Sequence, residues 1–167
     1  SAEVWGVEVD KTAGAIAQTK YDRVYIGDIL KLVDGLPVEY FDCIVFNDVL
    51  EHLVDPFGIL VRIKNKLIKG GVIISSIPNV RHYSVLKDLL IKKQWKYRDV
   101  GVLDKTHLRF FTLRSIIEMF NSLDYYIVTI KGINQIRSRV FSILNVLSFG
   151  YLSDTKYLRF VCVAKPK

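Results

Sequence analysis

The sequence of 167 residues has no apolar run that approaches the roughly 20 residues needed to cross a bilayer as a helix. Its first residues also lack a basic leader, and the acidic side chains of Glu3, Glu8 and Asp10 interrupt the apolar positions there. These patterns argue against a membrane span and a secretory signal peptide. We therefore expect a soluble, cytoplasmic protein.

Cysteine is scarce, with two residues in the whole chain. Cys43 and Cys162 each lie inside an apolar, strand-like run, which favours buried, reduced thiols over a disulfide framework. The sequence therefore predicts that neither thiol is reactive.

Acidic residues are outnumbered, and the formal net charge is +7. A field of this sign favours anionic partners, such as nucleotide-linked sugars, phospholipid head groups or nucleic acid. Solvated lysines on helix faces are the alternative, so charge alone does not choose a substrate. Half of the residues are hydrophobic and 12% are aromatic, which is enough for one core, and we predict a single domain over residues 1–167.

The first half of the chain alternates between strand-like and helix-like segments. Strands are predicted over residues 3–9, 23–26, 41–46 and 72–77, and helices over 11–20, 29–36 and from the Asp55-Pro56 pair to the Gly70-Gly71 pair. Asp10 and Asp55 are good N-cap residues for two of these helices. Strands that alternate with helices predict an α/β fold with a mostly parallel sheet.

The second half of the chain has a different pattern. Helices are predicted over 82–94 and 112–123, with an aromatic-rich loop over 95–110, and two strands over 125–131 and 158–164 are expected to form an antiparallel edge. We predict that 80–111 and 133–153 are lids or acceptor-pocket insertions. In the first of these, Arg81, Lys105 and Arg109 could bind a phosphate or carboxylate. The basic, amphipathic stretch 133–152 could instead contact a membrane surface.

A polar cluster follows the predicted strand 41–46. It consists of Asn47, Asp48, Glu51 and His52. Open α/β sheets bind ligands just beyond the carboxyl ends of their strands, so this placement indicates a small-molecule site.

Several motifs in order resemble the class I S-adenosylmethionine (SAM) dependent methyltransferases. They are GVEVD, GDI, FDCIVFNDVLEHL and LIKGGVIISSIPN, and the later string DVGVLDKTHLRFFTLRSIIEMF is similar to a bacterial subgroup found among genes for surface-glycan synthesis. The resemblance implies a Rossmann-like sheet, SAM as the cofactor, and methylation of a hydroxyl on a sugar or glycan precursor. It makes nucleic acid an unlikely partner.

The resemblance also implies roles for four residues in cofactor binding. Glu8 would accept the ribose hydroxyls and Asp28 the adenine amino group, while Ile29 would line the adenine ring and Asn47 would face the methionine part. The alternatives are a surface acid for Glu8 and a plain turn residue for Asp28.

One feature of the family does not occur here, namely a strand and glycine-rich loop before the first acidic strand. In the family that strand lies between the strands that correspond to 3–9 and 41–46. We therefore expect the chain to be a piece of a longer protein and to bind SAM weakly. The alternatives are a neighbouring chain that fills the gap, and direct pairing of the two flanking strands.

His52 and His107 are the candidate catalytic residues, because an imidazole can accept a proton from a hydroxyl near neutral pH. The alternatives are a capping box formed by Asp48 and Glu51, and a packing role for His107. We assign no metal site from the sequence, although Asp48, Glu51, His52 and His107 resemble the cation ligands of some RNA and ubiquinone-pathway O-methyltransferases. A metal-assisted RNA methyltransferase and a non-catalytic module are the rival functions.

Overall fold

The computed structural model describes residues 2–167, apart from the side chains of residues 139 and 140. Within that range the strands are β1 (Trp5–Glu8), β2 (Arg23–Ile26), β3 (Phe41–Asn47), β4 (Leu67–Pro78), β5 (Tyr125–Gln135) and β6 (Tyr157–Pro166). The α-helices are α1 (Lys11–Gln18), α2 (Ile29–Leu32), α3 (Pro56–Ile63), α4 (Tyr83–Leu90), α5 (Leu113–Ser122) and α6 (Arg139–Leu147).

The strands form two sheets. β1 and β2 pair in parallel, and the larger sheet has the order β3-β4-β6-β5. β3 and β4 are parallel, whereas β6 runs antiparallel to both β4 and β5. The predicted α/β class, with a parallel part and an antiparallel C-terminal edge, is therefore confirmed.

The helices begin where the sequence predicts. Asp10 accepts a hydrogen bond from the backbone N–H of Ala13 (2.7 Å), and Asp55 accepts one from Gly58 (2.8 Å). Thr112 forms a capping box with Ser115 at the start of α5. Each cap satisfies backbone donors that the first helical turn leaves without a partner.

The core lies between the larger sheet and two helices that cover it. Ile59, Leu60 and Ile63 of α3 are buried, as are the residues of α5 that face the sheet. Tyr125 is fully buried, and its hydroxyl donates a 2.6 Å hydrogen bond to the carbonyl of Leu60. That bond satisfies the one polar atom of a large aromatic side chain, so the ring can be buried without an unpaired hydroxyl.

The boundary between α3 and β4 differs from the prediction. The α-helix ends at Ile63, and β4 already begins at Leu67, so the glycine pair lies inside the strand. Gly70 has a φ of +85°, and a Cβ on Gly71 would lie 3.0 Å from the carbonyl oxygen of Phe41. The pairing register shifts at this point, so the two glycines form a bulge rather than a helix end.

A groove separates the two sheets. β1 and β3 are not hydrogen-bonded to each other, and their facing edges enclose about 450 Å³. Its lining is mainly apolar and includes Trp5, Val7 and Ile44. The alternative in which these two strands pair directly is therefore wrong.

Cys43 corrects a second expectation. It lies on β3 beside the groove and is exposed, because no strand within residues 2–167 covers that edge, whereas Cys162 is fully buried in β6. Both thiols are free, as predicted. Burial raises the pKa of Cys162 to about 12, which removes its thiolate at neutral pH.

The segment after β5 contains α6 and a set of exposed apolar side chains. They are Ile143, Leu144, Val146, Leu147, Phe149 and Tyr151. Phe141 instead packs edge-on against Tyr83 at a centroid distance of 5.8 Å, which joins this segment to α4. A role for 133–153 as a lid or a membrane contact stays a prediction. None of the described helices has the length and apolarity to cross a bilayer.

The difference between the two cysteines gives a direct test of the groove. In the native protein we expect a thiol reagent to modify Cys43 and to reach Cys162 only after unfolding, because burial protects the second thiol. Mass spectrometry of the singly labelled protein identifies the site, and Cys43→Ser serves as the control. Labelling of Cys162 in the native state would contradict the structure.

Candidate active site

Glu8, Asp28, Ile29 and Asn47 line one cleft of about 510 Å³. Glu8 is the last residue of β1, Asn47 is the last of β3, and Asp28 follows the end of β2. Parallel strands place their carboxyl ends at one edge, which explains why residues distant in sequence meet there. The structure brings all four predicted cofactor residues together, and their individual roles stay predictions.

The two carboxylates of the cleft each use one oxygen for local structure. Oδ1 of Asp28 accepts the N–H of Leu30 (2.9 Å) and caps α2, and Oε1 of Glu8 accepts the N–H of Asp10 (2.9 Å). Asp28 is thus the N-cap of α2 rather than a plain turn residue, and this local role does not exclude a binding role. Each side chain has a second oxygen that could accept a ligand hydroxyl or amino group.

Asp48 does not form the predicted capping box. It has a φ of +51°, and its side chain forms an ion pair with Arg159. The residues that follow make only a short 3₁₀ turn, Leu50–His52, without a side-chain cap. The capping interpretation is wrong because the Arg159 ion pair takes the carboxylate away from the turn.

Glu51 is the most unusual side chain at this end of the sheet. It is 1% exposed, and among the described residues neither of its carboxylate oxygens has a hydrogen-bond partner. Burial raises the pKa of Glu51 to about 7. An ionised carboxylate without partners is costly in such a site, so Glu51 needs a proton or a cation.

Backbone hydrogen bonds hold a distant loop against Glu51. The carbonyl oxygen of Glu51 accepts the N–H groups of Leu108 (2.8 Å) and Arg109 (3.0 Å). These bonds place His107 next to the turn that carries His52. The rings of the two histidines meet edge to face, with centroids 4.7 Å apart.

The two predicted catalytic histidines occupy different environments. His52 is exposed and lines the cleft, and its Nδ1 lies 3.2 Å from the carbonyl oxygen of Thr106. The side chain of His107 is 7% exposed, its Nδ1 lies 3.0 Å from the carbonyl oxygen of Val102, and its Nε2 lies 4.0 Å from Oε1 of Glu51. His52 is therefore placed to contact a ligand in the cleft, whereas His107 stands behind it.

The predicted cationic side chains of the 80–111 segment are engaged in local contacts. Arg81 pairs with Asp154, and Lys105 pairs with Asp99. Arg109 donates a 2.7 Å hydrogen bond to the carbonyl of Val54. A phosphate or carboxylate would have to compete with these partners.

Sequence reasoning missed Arg159 and Thr106. Arg159 lies on β6, opposite Pro78, and its pairing with Asp48 spans more than a hundred positions. No local pattern indicates such a contact. Thr106 precedes a histidine that the sequence did single out, so it could have been found as a neighbour of His107.

The sequence profile of the methyltransferase-domain family matches residues 2–130, and the chain belongs to that family. It is thus a methyltransferase domain. Its fold is also that of a solved SAM-dependent methyltransferase, in agreement with the fold that the resemblance predicted. No curated protein has a significantly similar sequence. The glycan-synthesis subgroup is not tested by these similarities.

Solved structures with a similar fold are somewhat longer than this chain. A SAM-dependent methyltransferase from Archaeoglobus fulgidus has a TM-score of 0.69 at 17% identity, over 96% of this chain and 75% of that one. A methyltransferase from Thermotoga maritima, described as a possible histamine N-methyltransferase, has a TM-score of 0.66 at 19% identity, over 98% and 72%. The [4+2]-cyclase SpnF has a TM-score of 0.63 at 14% identity, over 98% and 67%.

The cleft fits the adenosyl part of SAM. Its volume of about 510 Å³ is within the usual range of small-molecule pockets, roughly 300–1,000 Å³. Apolar side chains of Val7, Ile29 and Phe46 supply surfaces for a flat ring, and the oxygens of Glu8 and Asp28 supply acceptors. These groups match the donors and the aromatic face of adenosine.

The pKa of Glu51 predicts how its replacement changes stability with pH. Because the folded-state pKa of about 7 lies above the ordinary glutamate value of 4.5, the stability that the protonated carboxyl of Glu51 contributes is fully present below pH 4.5 and is lost as the pH rises to 7. In buffer with EDTA, Glu51→Gln should reduce this loss by on the order of 3 kcal/mol. Urea unfolding at pH 5 and pH 8 measures the difference.

The exposed acid Glu118 offers a matched control for this experiment. Glu118→Gln removes an exposed carboxylate that pairs with the exposed Arg114. It should show the same pH dependence as the wild type. Identical behaviour of the Glu51 and Glu118 variants would contradict the burial argument.

Proposed function

We propose that this domain binds SAM in the cleft at the ends of β1, β2 and β3 and transfers its methyl group to a hydroxyl of a sugar or glycan precursor. The observation that supports this proposal most is the convergence of Glu8, Asp28 and Asn47 on one cleft that His52 also lines. The reduced state of both cysteines suits a cytoplasmic location, which we retain as part of the proposal.

In this proposal each cleft residue contacts a different part of the cofactor. Glu8 accepts hydrogen bonds from the ribose hydroxyls, and Asp28 accepts one from the adenine amino group. Ile29 packs on the ring, and the amide of Asn47 faces the methionine part. An adenosyl group held at three strand ends is fixed in orientation, which the transfer of a methyl group in line requires.

SAM bound there would supply an electrophilic methyl group on a sulfonium, whose sulfur would keep the bonding electron pair. The acceptor hydroxyl must also lose its proton. His52 is the proposed proton acceptor, because its ring lines the cleft and is exposed. His107 is a positioning residue in this proposal, because its ring contacts that of His52 edge to face.

We further propose that one more strand lies in the groove between β1 and β3, contributed by a longer form of the same polypeptide. Two strands with unpaired edges face this groove, and their lining is mainly apolar, as an inserted strand requires. The greater length of the similar solved structures is consistent with an additional segment. This strand would close the side of the cleft next to Asn47.

Calorimetric titration of SAM tests the assignment of the cleft. We expect weak binding by this chain and tighter binding by the longer form, with Cys43 protected from thiol reagents in the latter. In the form that binds, Glu8→Gln and Asp28→Ser should each weaken SAM by roughly tenfold, as expected for a hydrogen bond to a charged group. Serine retains the cap of α2, so the second change tests recognition rather than folding.

The outcomes of this titration separate the rival functions. Glu118 pairs with Arg114 and does not line the cleft, so Glu118→Gln should leave SAM binding unchanged. Absence of SAM binding in both forms would overturn the proposal and favour a non-catalytic module. A dimer by light scattering, with Cys43 protected, would favour a second copy as the source of the strand.

Replacement of His52 tests its role in transfer rather than in binding. With a sugar acceptor that is turned over, His52→Ala should lower kcat by roughly a hundredfold or more, the usual size of a general-base contribution. SAM affinity should change little. His82→Asn is the matched control, because His82 caps α4 and lies outside the cleft lining. Full activity of the His52 variant would exclude it as the proton acceptor.

A further inference from the structure

Three potential metal ligands meet behind the cleft. One ligand atom each from Glu51, His52 and His107 lie within 4.8 Å of one another. Two of them come from the 3₁₀ turn after β3, and the third comes from the loop that hydrogen-bonds to it. We propose that these three side chains bind a divalent transition-metal ion.

The strongest argument is the state of Glu51. Its carboxylate is buried, and neither oxygen has a hydrogen-bond partner among the described residues. Protonation alone does not satisfy it, since the nearest imidazole nitrogen, Nε2 of His107, is 4.0 Å away and beyond hydrogen-bond distance. A cation between these atoms would compensate the buried charge of Glu51. It would also accept one lone pair from a Glu51 oxygen and one from Nε2 of His107.

The outer contacts of both histidines prepare them as ligands. A backbone carbonyl lies next to Nδ1 of each ring, that of Val102 for His107 (3.0 Å) and that of Thr106 for His52 (3.2 Å). The carbonyl of Val102 can only accept, so Nδ1 of His107 carries the hydrogen and its Nε2 keeps a free lone pair. Nδ1 of His52 also lies 3.2 Å from the hydroxyl oxygen of Thr106, but that hydroxyl donates its hydrogen to Asp104 (2.7 Å), so the same assignment holds for His52. Metal-binding histidines are usually oriented by such a bond from the other ring nitrogen.

The ligand atoms of the three side chains must move slightly closer together to bind one ion. Ligand atoms around one zinc-sized ion lie about 3 to 3.5 Å apart, given metal–ligand bonds of about 2.1 Å. His52 can supply the required movement because its side chain is exposed, while Glu51 and His107 are held by burial. Asp48 is excluded from the set, since its carboxylate is paired with Arg159.

The chemistry of the donors selects the class of ion. Two imidazoles and one carboxylate suit zinc, manganese, iron or cobalt, whereas magnesium and calcium prefer an all-oxygen set. Three protein ligands leave positions open for water or a substrate oxygen. An ion there would lie beside the cleft and would lower the pKa of an acceptor hydroxyl, which would then lose its proton to water. In that metal-bound state His52 is a ligand, so water replaces it as the proton acceptor, and the role of His52 as acceptor applies to the metal-free domain.

Metal binding is measured without SAM or an acceptor, so its failure and the failure of the proposed methyl transfer are distinguishable. The chain carrying Cys43→Ser, which removes the exposed thiol, is freed of metal with a chelator and titrated with Zn²⁺ by calorimetry. We expect one ion per chain and a higher unfolding temperature. Co²⁺ should give visible absorption bands from nitrogen and oxygen ligation.

Matched variants assign the ion to this cluster. Glu51→Gln, His107→Asn and His52→Asn should each lower the affinity by more than about tenfold, and His82→Asn and Glu118→Gln should leave it unchanged. His52 is exposed, so its variant is expected to fold even if a core variant does not. Absence of stoichiometric binding, or binding that His52→Asn leaves unchanged, would overturn the proposal.

Discussion

The pairing of β4 with a parallel strand on one side and an antiparallel strand on the other is the constraint on which the site depends. Asn47 at the end of β3 is opposite Ser76 of β4, and Arg159 of β6 is opposite Pro78. This register brings the guanidinium of Arg159 to Asp48, directly after β3. Asp48 has a left-handed conformation beside this ion pair, and the turn that follows places Leu50 and Glu51 in the core.

The second half of the site comes from a loop that has little regular structure of its own. Two backbone hydrogen bonds to the carbonyl of Glu51 attach this loop, and Thr106 and Val102 orient the imidazoles through their carbonyl groups. The backbone carbonyls therefore hold the two imidazoles at the Nδ1 side of each ring. Such support fixes geometry more precisely than exposed side chains could achieve by themselves.

The sequence was sufficient for those parts of the structure that depend on local chemistry. Asp10 and Asp55 are caps in the structure as they are in the pattern, and the strand ends next to Glu8 and Asp28 follow from alternation of elements. The glycine pair was misread because a bulge and a helix end use the same residue type for the same backbone freedom.

The remaining features depend on contacts between distant parts of the chain, which periodicity does not record. The burial of Glu51 follows from the Asp48–Arg159 pair and from the attached loop, neither of which has a local signature. The exposure of Cys43 follows from an open strand edge, although its own segment reads as a buried strand. A side chain's burial is set by its neighbours in space, so these errors occur where the neighbours are remote.

The division of the sheet has a consequence for cooperativity. The unit formed by β1, α1 and β2 is attached to the larger sheet by side-chain packing, chiefly Trp5 against Tyr40 and Phe41, and not by a ladder of backbone bonds. Segments joined in this way open with a smaller free energy than the body to which they are attached. We therefore expect the amide protons of β1 and β2, which form the wall of the cleft that carries Glu8, to exchange before those of the central strands.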